Sequence, residues 1–131
     1  MQILSSRIIL RPSDYERTLN FYRDVLGLAI YREYPGGTVF FAGQGLIEVA
    51  SHGRASERGA FTGALWLQTR DIAAAEAELE TKGITIRREA IQEPWGLIEM
   101  WIEDPDGIPI VLVEIPADHP LRGDQRPARD T

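Results

Sequence analysis

Few residues in this chain could do proton or ligand chemistry. Two glutamates, Glu48 and Glu99, stand inside the apolar runs Leu46–Ala50 and Leu97–Ile102. Partial desolvation there would drive two carboxylate pKa values apart, so that one serves as acid and the other as base. Either is therefore a candidate catalytic base. Only two histidines exist, His52 four residues after Glu48 and His119 near the C-terminus. Both fall in loop-like sequence and read as solvated, and no nucleophile–base arrangement accompanies them. Three tryptophans, Trp66, Trp95 and Trp101, offer flat faces for a planar or cationic ring, or ordinary packing. The chain has no cysteine, which excludes disulfides, thiolate metal sites and cysteine nucleophiles. Gly43-Gln44-Gly45 is a hairpin turn, not the strand-to-helix glycine motif that cradles phosphate.

The elements that must position these residues occur twice. Asp14–Gly27 is a helix-like block opened by Asp and closed by Gly, and Asp71–Gly83 repeats it at an offset of 57 residues at the aspartate and 56 at the glycine. Ser13-Asp14-Tyr15-Glu16 has the capping-box pattern. The first helix carries Tyr15, Leu19, Tyr22, Val25 and Leu26 at helical spacing; the second carries Ile72, Ala75 and Leu79 on one face. Strands are expected at Ile3–Arg11, Leu28–Tyr34, Thr38–Ala42 and Leu46–Ala50 in the first half. In the second they are expected at Gly63–Thr69, Ile84–Glu89, Leu97–Glu103 and Ile108–Ile115. Asp104-Pro105-Asp106-Gly107 is the turn of the last hairpin. The organisation is thus module one at about 3–50, a polar linker at 51–62, module two at about 63–115 and a tail at 116–131, the whole forming one domain. The tail is polar and proline-rich, and is expected to be mobile or to lie as an arm on a partner subunit.

A net charge of −6 and a single lysine, Lys82, argue against nucleic acid as a partner. No apolar run approaches the roughly 18–20 residues that span a membrane. The N-terminal stretch, interrupted by Arg7 and Arg11, does not read as a secretory signal. The expected location is cytoplasmic.

Strand–helix–three strands, repeated, with these punctuation marks, resembles the vicinal oxygen chelate superfamily, the group of glyoxalase I, bleomycin-resistance proteins and extradiol dioxygenases. Three stretches carry the resemblance: Asp14–Tyr22 followed by Val25–Leu28, Glu93-Pro94-Trp95-Gly96, and Glu103-Asp104-Pro105-Asp106-Gly107. The second is similar to a loop of the resistance-protein branch, although Ile98-Glu99-Met100 departs from the Arg-Glu-Phe often found there. The resemblance implies an α+β fold of two βαβββ modules, their strands forming a curved, cup-like mixed sheet with helices outside. It also implies a homodimer.

The family's enzymes hold a divalent metal with four sheet residues. The matching positions here are Arg7, Glu48, Ala64 and Val111. Ala and Val have no donor atoms and Arg7 would repel a cation, so neither a metal site nor another cofactor is expected. The metal alternative is a displaced Glu48/His52 site completed by Glu99 or Glu114. Strand alternation from Arg7 and Glu48 puts Ile9, Arg11, Trp66, Gln68, Glu99, Trp101, Val111 and Val113 on the ligand-binding lining, with Trp95 closing over it. Arg7 and Glu48 would pair, or bind a ligand carboxylate and amine respectively. Such a lining suits a small organic ligand, aromatic or cationic. The expected function is metal-free sequestration by a protein that is not an enzyme. The alternatives are a metal-dependent lyase, isomerase or dioxygenase, and a metal-free enzyme using Glu48 or Glu99 as base.

Overall fold

The structure is a computed structural model that describes residues 1–52 and 59–122. Its elements follow the expected order, each module running strand, helix, three strands. Module one contains β1 (Ile8–Leu10), α1 (Tyr15–Asn20), β2 (Ile30–Tyr34), β3 (Gly37–Ala42) and β4 (Gly45–Ala50). Module two contains β5 (Leu65–Gln68), α2 (Ile72–Thr81), β6 (Arg88–Gln92), β7 (Ile98–Glu103) and β8 (Pro109–Glu114). Each set of strands makes its own four-stranded mixed sheet, ordered β1-β4-β3-β2 and β5-β8-β7-β6. The outer β1–β4 and β5–β8 pairs are parallel, and β2–β3, β3–β4 and β6–β7 are antiparallel. The chain divides into two compact units, Met1–Ala64 with the turn segment Glu103–Pro109, and Leu65–Ile102 with the residues from Ile110 on.

In module one the period-two alternation sends Leu10, Phe40, Ile47 and Val49 to one face of the sheet, where all are buried. Phe40 pairs with Ile47 and Ile47 with Ile8 across the strands. Leu19, Phe21 and Tyr22 of the helical segment are buried with them, and the Tyr22 ring stands 6.4 Å from Phe40. Each large apolar side chain removed from water in this way contributes about 1.5–3 kcal/mol. Tyr22 is fully buried, so its hydroxyl needs a partner; it donates to Asp104 at 2.9 Å. Asp104 also accepts from the backbone N–H groups of Asp106 and Ile108. The Asp104–Gly107 turn is thereby fastened to module one.

The structure corrects several sequence expectations. The capping box does not form: Asp14, not Ser13, accepts from the Arg17 N–H, while Ser13 donates its hydroxyl to Asp106 at 2.5 Å. A carboxylate is the stronger acceptor at a helix N-terminus, and Asp106 draws the serine away. After Asn20 the helix widens into a π-helical segment, Phe21–Val25, where Leu26 N–H reaches back to the Phe21 carbonyl. The extra residue per turn breaks the 3.6 period, so Phe21 and Tyr22 are buried while Val25 and Leu26 are only half-buried. The first strand is Ile8–Leu10 rather than Ile3–Arg11, its three residues pairing with Ile47–Val49. The strand after α2 is Arg88–Gln92 rather than Ile84–Glu89. The α2 terminus holds its start, because Ile84 N–H bonds the Leu79 carbonyl and Gly83 N–H the Glu80 carbonyl. This is a Schellman closure around Gly83 at φ +76°.

Linker residues 53–58 and tail residues 123–131 lie outside the described residues. Pro116–Arg122 of the tail is tied back onto module two. The His119 ring shares a 3.0 Å hydrogen bond with the Trp95 carbonyl, and Arg122 donates to the Ile115 carbonyl.

Candidate functional site

The face of sheet one opposite the buried core carries a polar cluster. Cross-strand partners point to the same side of a sheet. Arg32 pairs with Val39, Val39 with Glu48, and Glu48 with Ile9. One row therefore spans all four strands of this face, which is buried at Val39 and Glu48 and open at Ile9. Tyr34 and Gly37 form a second row, and Phe41 with Leu46 a third. Ile9 and Phe41 are exposed, and Tyr31 packs edge-on against Phe41 at 5.0 Å.

Glu48 is the hub. The residue retains only 7% of its exposure, yet both carboxylate oxygens are satisfied. Arg7 donates through Nη1 to Oε1 at 2.9 Å, and the Tyr34 hydroxyl donates to Oε2 at 2.6 Å. Tyr34 reaches this position because its cross-strand partner is Gly37. A Cβ on Gly37 would fall on the hydroxyl and Cζ of Tyr34, so the ring lies across the space that glycine leaves. The hydroxyl also meets His52 Nε2 at 3.0 Å. Since the phenolic proton goes to Glu48, the His52 ring is the donor in this bond. Ser51 bonds the Gly36 carbonyl through both its N–H and its hydroxyl, anchoring the residue before His52. The resulting relay runs His52 to Tyr34 to Glu48, with Arg7 on the far oxygen.

The electrostatics follow from these contacts. The Tyr34 hydrogen bond, and then the Arg7 guanidinium, hold the Glu48 carboxyl below its ordinary value despite the opposing cost of burial. Partial burial, and then the Glu48 bond, push Tyr34 up to about 12. A carboxylate held low, with both oxygens occupied, is a poor proton acceptor near neutrality. That weighs against Glu48 as a general base.

The open face of sheet two is set by its own register. Trp66 pairs with Val111, Gln68 with Val113, and Arg88 with Trp101. Val111 and Val113 are buried with Leu97 and Ile115, against which Trp101 packs half-buried. Trp66 and Gln68 are exposed. Glu99 is buried and accepts from the Trp95 indole N–H at 2.8 Å. Arg88 donates to the Glu99 carbonyl at 3.0 Å and pairs with Glu93 at 2.6 Å. The Trp95 loop is thus latched to the sheet through Glu99, with the Trp95 ring more than half exposed. The sequence reading missed Tyr34, Arg32 and the engagement of both histidines. The signal that could have located Tyr34 is the Gly36-Gly37 pair that follows it across a tight turn.

The residues do not fit the family's metal. Arg7 places a guanidinium on Glu48, and Ala64 and Val111 bring no donor atoms. Glu114, suggested above as a completing ligand, accepts instead from the Ile72 N–H at the start of α2. Between His52 and Glu48, 3.9 Å apart, the Tyr34 hydroxyl already bonds both. Among the described residues no three His, Cys, Asp or Glu side chains gather as a metal ion requires.

Two βαβββ modules with this signature define a class, and comparison with known proteins agrees. The model of the Glyoxalase/Bleomycin resistance protein/Dioxygenase superfamily matches residues 5–112, and the chain belongs to that superfamily. No curated protein sequence matches the chain. Solved structures do resemble it. A superfamily member from Sphaerobacter thermophilus is 28% identical, with a TM-score of 0.67 over 86% of this chain and 98% of that one. TioX from Micromonospora sp. is 17% identical, with a TM-score of 0.70 over 85% and 95%. Lactoylglutathione lyase from Agrobacterium tumefaciens is 21% identical, with a TM-score of 0.64 over 87% and 94%. At such identities the last two share the fold and nothing narrower. Among the described residues no helix is long and apolar enough to cross a membrane.

Proposed function

We propose that this superfamily member is a metal-independent, homodimeric small-molecule-binding protein of the sequestering kind, seating an organic ligand on the open face of sheet one. The observation that carries this reading is the closure of Glu48. Its two oxygens take Arg7 and Tyr34, so the carboxylate is neutralised by protein groups where the family's enzymes use a cation. Around it lie apolar and aromatic surfaces, Ile9, Phe41 and Tyr31, with a few fixed polar groups, the mixture that binds small organic molecules. Trp66, Gln68 and Trp101 on the open face of sheet two are proposed as a second ligand-contacting surface. The exposed apolar side chains Ile8, Ile30 and Ile91 support self-association.

The test is a fragment screen by protein-observed NMR, run in excess chelator and again with added zinc or manganese. Binding that shifts the Ile9, Val39 and Phe41 amides equally in both conditions is expected. Binding that appears only with metal, or a turnover that Glu48→Gln abolishes, would refute the proposal. Light scattering should give twice the chain mass of 14.7 kDa.

A further inference from the structure

The charges on the open face of sheet one do not balance, and their sign bears on what it binds. Arg7 and Glu48 cancel as a pair. Arg32 belongs to the same cross-strand row as Glu48. Its guanidinium carbon lies 5.4 Å over the Tyr34 ring, in a cation–π contact. The groups that act electrostatically on Tyr34 or Glu48 are Glu48 itself, the Tyr15 phenol, Arg7, Arg32 and the His52 ring; Glu48 is the one carboxylate among them, and Arg7 already offsets it. Glu33, next to Arg32 in the chain, points to the opposite face by strand alternation, where its charge acts on Arg23 of the helical segment. A chain of net charge −6 therefore presents a locally cationic patch beside an apolar floor.

Arg7 adds to this. Its bond to Glu48 uses Nη1 alone, and a third of the side chain remains exposed. A guanidinium has five N–H donors in a planar fork, so its remaining edge can still take a carboxylate bidentately. Resting on the reading above, we infer that the ligand of this face is a planar organic anion, an aromatic or conjugated carboxylate. Its ring packs over Ile9 and Phe41 and its charge lies between Arg32 and the remaining edge of Arg7. The aromatic ligand expected from sequence is retained, and the cationic one is replaced by its opposite.

The test uses three probes of one shape and different charge: 2-naphthoate, 2-naphthamide and 2-naphthylmethylammonium. Each is titrated into the purified full chain at pH 7.5 by calorimetry, with NMR locating the site. Naphthoate is expected to bind at least tenfold tighter than the ammonium probe, shifting the Ile9, Val39 and Phe41 amides. Arg32→Gln is expected to weaken naphthoate at least fivefold, to flatten its salt dependence and to leave naphthamide unchanged. Equal affinity of all three probes at this face would overturn the anion assignment while sustaining the binding face, as would preference for the ammonium probe or an unaltered Arg32→Gln. Failure of all three to shift those amides would overturn the binding face itself.

Discussion

Replacing Tyr34 by Phe removes one oxygen and nothing else, so the consequence can be worked from the contacts. The lost hydroxyl donates to an ionised carboxylate at 2.6 Å, and Glu48 keeps only 9% of its side-chain exposure. A hydrogen bond to a charged group contributes about 1.5–3 kcal/mol, and water has little access to replace it here. His52, 3.9 Å from the same oxygen, can move in and recover part. The expected loss is about 2 kcal/mol, or about 7 °C in Tm for a domain of this size. Urea unfolding followed by far-ultraviolet circular dichroism measures it. Partnering Tyr34→Phe with Glu48→Gln in a double-mutant cycle should return a coupling of about 1–2 kcal/mol. The pH dependence fixes the assignment. Because the folded-state pKa of Glu48 lies below the ordinary 4.5, its stabilisation is present above that value and is lost as pH falls through the folded pKa. The difference between wild type and Tyr34→Phe should therefore shrink as the solution is acidified below that value. A loss within 0.5 kcal/mol of zero (~0.5 kcal/mol being the usual effect of a neutral surface change), or one unchanged at acid pH, would refute the reasoning.

Other expectations follow from the same structure. Gly37→Ala puts a methyl group where the Tyr34 hydroxyl lies, so it should displace that ring. It should then cost at least as much as Tyr34→Phe by thermal melting, and should add to that loss in the double variant, because the methyl also meets the ring carbons that Phe retains. Tyr22→Phe removes the buried bond to Asp104 and should cost about 1–2 kcal/mol, measured by urea unfolding. Asp71→Ala removes the cap on α2, which accepts from the Ala74 N–H at 3.0 Å, and should cost about 1 kcal/mol. In alkaline titration read at 295 nm, Tyr34 should ionise near pH 12. Its raised pKa means that its share of stability is full below the ordinary 10.0 and fades as pH rises through about 12.

The modular repeat was legible in the sequence because helix stops and apolar alternation are local signals. Asp14 and Asp71 open their helices, Gly27 and Gly83 end them at positive φ, and period-two patterns mark most strands. The sharing of a face also followed from alternation, since Trp66 and Val111, or Ile9 and Glu48, lie opposite each other on neighbouring strands; which residues pair did not. The departures have tertiary causes. Ser13 lost its capping role to Asp106, 93 residues away, and no local pattern encodes that competition. The π-helical segment shifts phase after Asn20, which a 3.6-residue period does not register. Arg7 and Glu48 were readable as a pair. Tyr34 was not, because its role depends on the absent side chain of Gly37 on the neighbouring strand. His52 and His119 looked like solvent-facing loop residues in sequence. Their hydrogen bonds to Tyr34 and to the Trp95 carbonyl exist only once the hairpin and the tail have folded back.

The central claim is that protein groups, not a cation, neutralise Glu48. Elemental mass spectrometry of the purified chain, after dialysis against physiological divalent ions, tests it most directly. Metal well below one equivalent per chain is expected, with Glu48→Gln leaving that content unchanged. One tightly held transition metal per chain, lost on Glu48→Gln, would contradict it.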